Sequence, residues 1–136
     1  MSKYRYLITC AGWEDRFFDS VESSIRNHDI EMVLVFVLEE FIDRTVEQLG
    51  RVRALLGSDT LRESNISLLD DVATWQLLER DFGNTDLIGE TICLDITTMP
   101  RFLIWFLMHF FDTQGIAVEY VYFKPEYYEP CDWLTS

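Results

Sequence analysis

The chain has 136 residues, 49% hydrophobic and 15% aromatic, which is enough for one domain with a real core and excludes a disordered segment. Its 24 acidic residues outnumber 11 basic ones, giving a formal net charge of -13, a field that repels phosphates and argues against direct binding of nucleic acid through a basic face. The longest apolar run, Phe102 to Phe111, is about half of the ~20 residues that a membrane span requires, and His109 interrupts it.

Apolar periodicity alternates between strand and helix from the start. Tyr4 to Cys10 reads as a first strand, entered at once from the N-terminus with no secretory h-region or cleavage site, so a cytoplasmic protein is expected. Glu14 to Asn27 follows as a helix, with Phe17, Phe18, Val21 and Ile25 at helical spacing. Glu31 to Leu38 is an almost continuous apolar strand, as a parallel strand covered on both faces should be. Glu40 to Leu56 is an amphipathic helix, with Gly57 as its expected C-cap residue. A shorter strand, Asn65 to Leu69, precedes a helix from Val72 to Phe82, for which Asp70 or Asp71 is the expected cap. Glu90 to Asp95 is a fourth strand, and Pro100 opens a fourth helix that runs to about Thr113 and stops before Gly115. Ala117 to Phe123 is a fifth strand. The domain thus spans residues 1–123, and an aromatic and acidic tail covers 124–136.

Strands alternating with helices predict an α/β fold, a doubly wound three-layer Rossmann-like domain on a five-stranded, mostly parallel sheet. Two strand orders are common for such sheets, 3-2-1-4-5 and 2-1-3-4-5, and the first is the expected one. It makes the first and fourth strands neighbours at the switch point, where ligands of open α/β sheets bind.

No linear motif assigns a reaction. The sequence contains no GxGxxG, no GxxxxGK[ST], no HExxH and no GxSxG. Cys10, Cys93 and Cys131 are odd in number and far apart, so neither a disulfide framework nor a zinc site is indicated, and Cys10 and Cys93 read as buried strand residues. With only His28 and His109, no metal site is expected, and His109 reads as a packed core or interface residue.

Two polar clusters at strand ends remain. Gly12-Trp13-Glu14-Asp15-Arg16 follows the first strand, and Asp95-Ile96-Thr97-Thr98-Met99-Pro100-Arg101 follows the end of the fourth. In the order 3-2-1-4-5 they meet at one crevice. Helix N-termini with their free N–H groups, together with Gly12, Trp13, Arg16, Thr97, Thr98 and Arg101, would suit a small anionic ligand. Asp15 and Asp95 are the candidates for orienting a ribose, holding Mg²⁺ or acting as general acid and base. The plain account of the same residues is helix capping by Asp95 or Thr98 and ion pairing of Arg16 or Arg101 with Glu14 or Asp95. No cofactor is identified by these residues.

The fourth helix, RFLIWFLMHFFD, is apolar all round, whereas a covering helix should show water a polar face. Phe102, Trp105 and Met108 are therefore expected to meet a protein partner or a second copy of the chain, the competing cover being the tail with Tyr127, Tyr128 and Trp133.

The segments Cys10 to Arg16, Leu94 to Arg101 and Val121 to Tyr127 together resemble a pattern of Rossmann-like domains in bacterial anti-phage defence proteins. That pattern has a small/acidic/Arg turn after the first strand, an Asp-Ile-Ser/Thr-x-x-Pro-Arg turn later, and a tyrosine-bearing exit from the next strand. The resemblance implies a defence setting; with the crevice residues, the expected function is an interaction or regulatory module with a small anionic or nucleotide ligand at the crevice. The first 27 residues are also faintly similar to Toll/interleukin-receptor-type domains, which have a strand, an acidic turn and a helix there and can cleave NAD. That similarity implies the alternative of a nucleotide-acting enzyme, a hydrolase or NAD glycohydrolase, using Asp15, Asp95, Arg16 and Arg101. A third reading, from charge alone, is an acidic inhibitor or DNA mimic filling a basic groove.

Overall fold

A computed structural model describes residues 2–82 and 90–124, so the tail expected to compete for the fourth helix (Tyr127, Tyr128, Trp133) and Cys131 lie outside the described residues. The elements run β1 (Ser2–Cys10), α1 (Asp15–Asn27), β2 (His28–Leu38), a 3-10 turn (Glu39–Phe41), α2 (Ile42–Leu55), β3 (Leu61–Ile66), α3 (Asp71–Phe82), β4 (Thr91–Asp95), α4 (Arg101–Thr113) and β5 (Ala117–Val121). The five strands form one sheet in the order β3-β2-β1-β4-β5, and every neighbouring pair is parallel. This is a Rossmann-like α/β fold with the expected strand order.

That order explains the two layers of helices. Right-handed crossovers place helices on one face while the chain steps from β1 to β3, and on the other once it steps back through β4 to β5. The cores agree. Phe17 and Val21 of α1 and Leu49 and Val52 of α2 pack on Leu7, Val33, Val35 and Val37 of the sheet. Leu78 and Phe82 of α3, with Leu103, Leu107, Phe110 and Phe111 of α4, pack on Ile8, Leu34, Phe36, Ile92 and Leu94. Alternate residues of β1, β2 and β4 thus serve opposite faces, so the buried middle of each central strand is mostly apolar.

Three local expectations are corrected. β3 is Leu61–Ile66, not Asn65 to Leu69, because it is an edge strand whose side chains are largely exposed; Leu69, taken for its last residue, stands in a loop and is 88% exposed. β2 begins at His28 with no intervening loop, since Ser2 to Tyr4 extend β1 and pair with His28 to Ile30. Gly57 supplies no left-handed cap: α2 ends on extended Leu56, whose N–H bonds to the carbonyl of Val52. The left-handed glycine is Gly115, at φ 70, after α4. There the N–H of Ile116 reaches the carbonyl of Phe111 at 3.0 Å and that of Gly115 reaches Asp112 at 3.1 Å, the paired bonds of a Schellman ending. The cap of α3 is Asp70, whose carboxylate accepts from the Ala73 N–H at 3.0 Å.

Candidate crevice at the β1 and β4 strand ends

The loops after β1 and β4 lie against one another because their strands are hydrogen-bonded neighbours, with Leu7 opposite Cys93 and Ile8 opposite Leu94. Contact is closest at Gly12: a Cβ there would meet the Thr98 side chain at 3.0 and 3.1 Å. The close approach of the two loops favours glycine at this position, and its backbone is not left-handed. The Thr98 hydroxyl donates to the Cys10 carbonyl at 2.7 Å and closes the seam.

Below the seam sits Asp95, 1% exposed. One carboxylate oxygen accepts the Thr97 N–H at 3.0 Å, and the other accepts hydroxyl bonds from Ser20 of α1 and, at 3.4 Å, from Thr9 of β1. Thr97 is itself buried, and its hydroxyl oxygen accepts the Phe123 N–H at 2.8 Å. A buried carboxylate must be paired or well hydrogen-bonded, and three donors from three segments meet that need here. Asp95 therefore ties α1, β1 and the β4–α4 loop together.

Above the seam the loops border a solvent-open cleft of about 260 Å³, lined by Ala11, Gly12, Trp13, Glu14, Arg16, Leu38, Phe41, Thr97, Thr98, Met99 and Pro100. Neither flanking helix has a side-chain cap: α1 begins after extended Glu14 and α4 after Pro100, each without a side-chain hydrogen bond to its first turn. Arg16 is half-buried, and its Nε is shielded from solvent yet has no hydrogen-bond partner of good geometry; the Glu14 carboxylate stands 3.5 Å away. Trp13 is 45% exposed and is held by stacking, with the Arg44 guanidinium 3.9 Å from its ring centroid and the Phe41 ring 5.5 Å away.

Of the residues expected at a crevice, the fold brings Gly12, Trp13, Arg16, Thr97 and Thr98 to the cavity. Asp15 turns aside to α2, where its carboxylate accepts from Gln48 at 3.1 Å and Arg51 at 3.2 Å. Arg101 is exposed on the first turn of α4, just beyond the lining residue Pro100. Asp95 lies beneath the loops as a structural acceptor and caps no helix. Among the described residues, no group of three His, Cys, Asp or Glu side chains is placed to hold a metal ion.

Ser20, Phe41 and Arg44 escaped the sequence reading. Ser20 sits in the buried stripe of α1 with Phe17, Val21 and Ser24, and a serine at that spacing is the signal that a buried acceptor lies opposite. Phe41 follows β2, and in this strand order the loop after β2 borders the loop after β1.

The outer helix resolves differently from a bare apolar cylinder. Trp75 of α3 packs edge-on against Phe106 and Phe110 and lies 5.7 Å from His109, so α3 covers one flank of α4. The opposite flank, with Phe102, Trp105 and half-buried Met108, is left uncovered by the described residues and continues past Tyr120 of the edge strand β5 as a shallow groove. No helix among the described residues is long and apolar enough to cross a membrane.

No model of a known protein family matches the chain, and no curated protein matches it in sequence.

Proposed function

We propose that this chain is a Rossmann-like regulatory module that receives a small anionic ligand in the crevice between β1 and β4 and acts through contacts with other protein chains. The observation that carries the ligand reading is Arg16: a half-buried guanidinium on the wall of a cavity at the strand-order switch point, held only loosely by Glu14 at 3.5 Å with no hydrogen bond of good geometry to its Nε, beside two helix N-termini that no side chain caps. An anion in the cavity would offer the exposed part of this guanidinium a stronger charge-assisted hydrogen bond than the loose contact with Glu14. The similarity of the Cys10–Arg16 and Leu94–Arg101 turns to anti-phage defence domains supports a bacterial defence setting. Against the enzymatic alternative stand the contacts of its two acids, since Asp15 is engaged by α2 and Asp95 by three buried donors. Calorimetry with inorganic phosphate and a panel of nucleotides tests the reading. Binding by the unmutated chain that falls about tenfold or more in Arg16→Ala, the worth of one charge-assisted hydrogen bond, is expected; no binding to any member of the panel ends it.

The open flank of α4 supports the second half of the proposal, and the occupant we favour is another copy of the chain. The groove beside it is lined by Trp105, Met108, Val118 and Tyr120 with a single acid, Asp112, so it offers a basic partner little to recognise. A two-fold contact would pair the same aromatic patch with itself.

A further inference from the structure

We infer that the crevice selects an anion carrying a flat aromatic ring, a nucleoside monophosphate, and that Trp13 is the residue that reads the ring; this rests on the crevice binding an anion at all.

The cavity's lining includes one cation, Arg16, with Glu14 3.5 Å from its Nε, and a set of apolar side chains. Arg16 and the start of α1 supply donors for a phosphate. Trp13, Phe41 and Met99 supply apolar surface, and two of these three are aromatic. Trp13 is the unusual member: a large ring on a short loop, 45% exposed, where burial would be expected to stabilise the fold. It is nonetheless held in place, since the Arg44 guanidinium lies 3.9 Å from its centroid and the Phe41 ring leans on it at 51°. A ring fixed before the ligand arrives loses little freedom on binding, so its exposed surface is available for stacking at low entropic cost. Stacking on an aromatic side chain is the general means by which proteins hold a base without reading its edge. The cavity, about 260 Å³, lies at the lower edge of the roughly 300–1,000 Å³ usual for drug-sized ligands, which argues against a ligand as large as a dinucleotide.

Calorimetry of the full chain with adenosine 5′-monophosphate, ribose 5-phosphate and inorganic phosphate tests this. The nucleotide should bind about tenfold more tightly than ribose 5-phosphate, the worth of one stacked base. Trp13→Ala should remove that advantage while leaving ribose 5-phosphate binding unchanged, and Trp13→Phe should keep most of it. Equal binding of the nucleotide and ribose 5-phosphate overturns the ring selectivity and leaves the anion site standing. Equal weakening of all three probes by Trp13→Ala also overturns it, because the ring would then only shape the loop. No binding of any probe overturns the anion site and the ring selectivity together.

Discussion

The crevice and the open flank of α4 both meet solvent with unusual side chains, yet they are built in opposite ways. Around the crevice every loop is tied down: Thr98 to Cys10, Thr97 to Phe123, and Asp95 to Ser20, Thr9 and Thr97. On the flank, Phe102, Trp105 and Tyr120 are 40%, 64% and 46% exposed. A surface fixed by a buried polar network is pre-organised for a small ligand, and changes beneath it should damage folding. A surface of exposed aromatic groups can change without cost to the monomer, and its changes should register in association alone.

The sharpest test of this contrast is Asp95. Asp95→Ala strands two hydroxyls and one N–H in a site closed to water, and about 3 kcal/mol of stability should be lost. Asp95→Asn should recover part of that, since the amide keeps an acceptor oxygen for the Thr97 N–H and the Ser20 hydroxyl can rotate to accept. Urea denaturation gives both values. A loss below about 1 kcal/mol for the alanine variant would mean that the crevice floor is not locked as its hydrogen bonds imply.

The wall should answer next. Gly12→Ala drives a methyl group to 3.0 Å from the Thr98 Cβ and 3.1 Å from its methyl carbon, and overpacking of this kind should cost about 1–2 kcal/mol. Adding Thr98→Ser removes the methyl and keeps the hydroxyl bond to Cys10, so the double variant should regain part of the loss. Strict additivity in the same urea experiment would show that the two loops do not press on each other.

Much of this architecture was legible in the sequence because the central strands are apolar on both faces. EMVLVFVL has the near-continuous apolar run expected of an inner parallel strand, and the helices between strands pointed to the topology class. β3 was misplaced because an edge strand buries little, and LRESNI carries almost no apolar signal. The crevice was half legible. Position after neighbouring strands picked out Gly12, Trp13, Arg16, Thr97 and Thr98, but the direction of a carboxylate is set by partners distant in sequence. Asp15 is claimed by Gln48 and Arg51, 33 and 36 residues away, and Asp95 by Ser20 and Thr9, 75 and 86 away. Likewise, the cover that Trp75 gives one flank of α4 follows from α3 lying on the same face of the sheet, which single-helix periodicity does not register.

Alkaline pH probes the core beneath the crevice. Burial pushes the Cys10 thiol up to about 12, and burial together with the nearby Asp95 and Glu119 carboxylates does the same to Cys93. Both folded values lie above the ordinary thiol range, so the folded state holds protons that the unfolded state releases. Their contribution is complete below about pH 9 and is lost as pH climbs toward 12. Denaturation midpoints should accordingly fall as pH rises through this window, and neither thiol should react with an exposed-thiol reagent at pH 8 in the folded chain. Rapid labelling of Cys10 at pH 8 would show that the end of β1 opens readily.

The smallest effect on stability belongs to the flank. Trp105 is 64% exposed and projects beside a shallow groove, so Trp105→Ser should change the unfolding free energy by no more than about 0.5 kcal/mol. Its effect should appear in sedimentation instead. The chain carries a net charge of -13, and two copies repel each other at low ionic strength, so self-association through an apolar patch should strengthen as salt screens that repulsion. A contact with a basic partner would weaken under the same change. Burying one large side chain contributes roughly 1.5–3 kcal/mol, so removing Trp105 from a two-fold contact, where it counts twice, should shift the dimer to monomer over the range of concentrations sedimentation can reach. A chain that stays monomeric at every salt and protein concentration removes the second copy as occupant of this face. A dimer that persists in Trp105→Ser would place the contact elsewhere and undo the contrast between a locked crevice and a free flank.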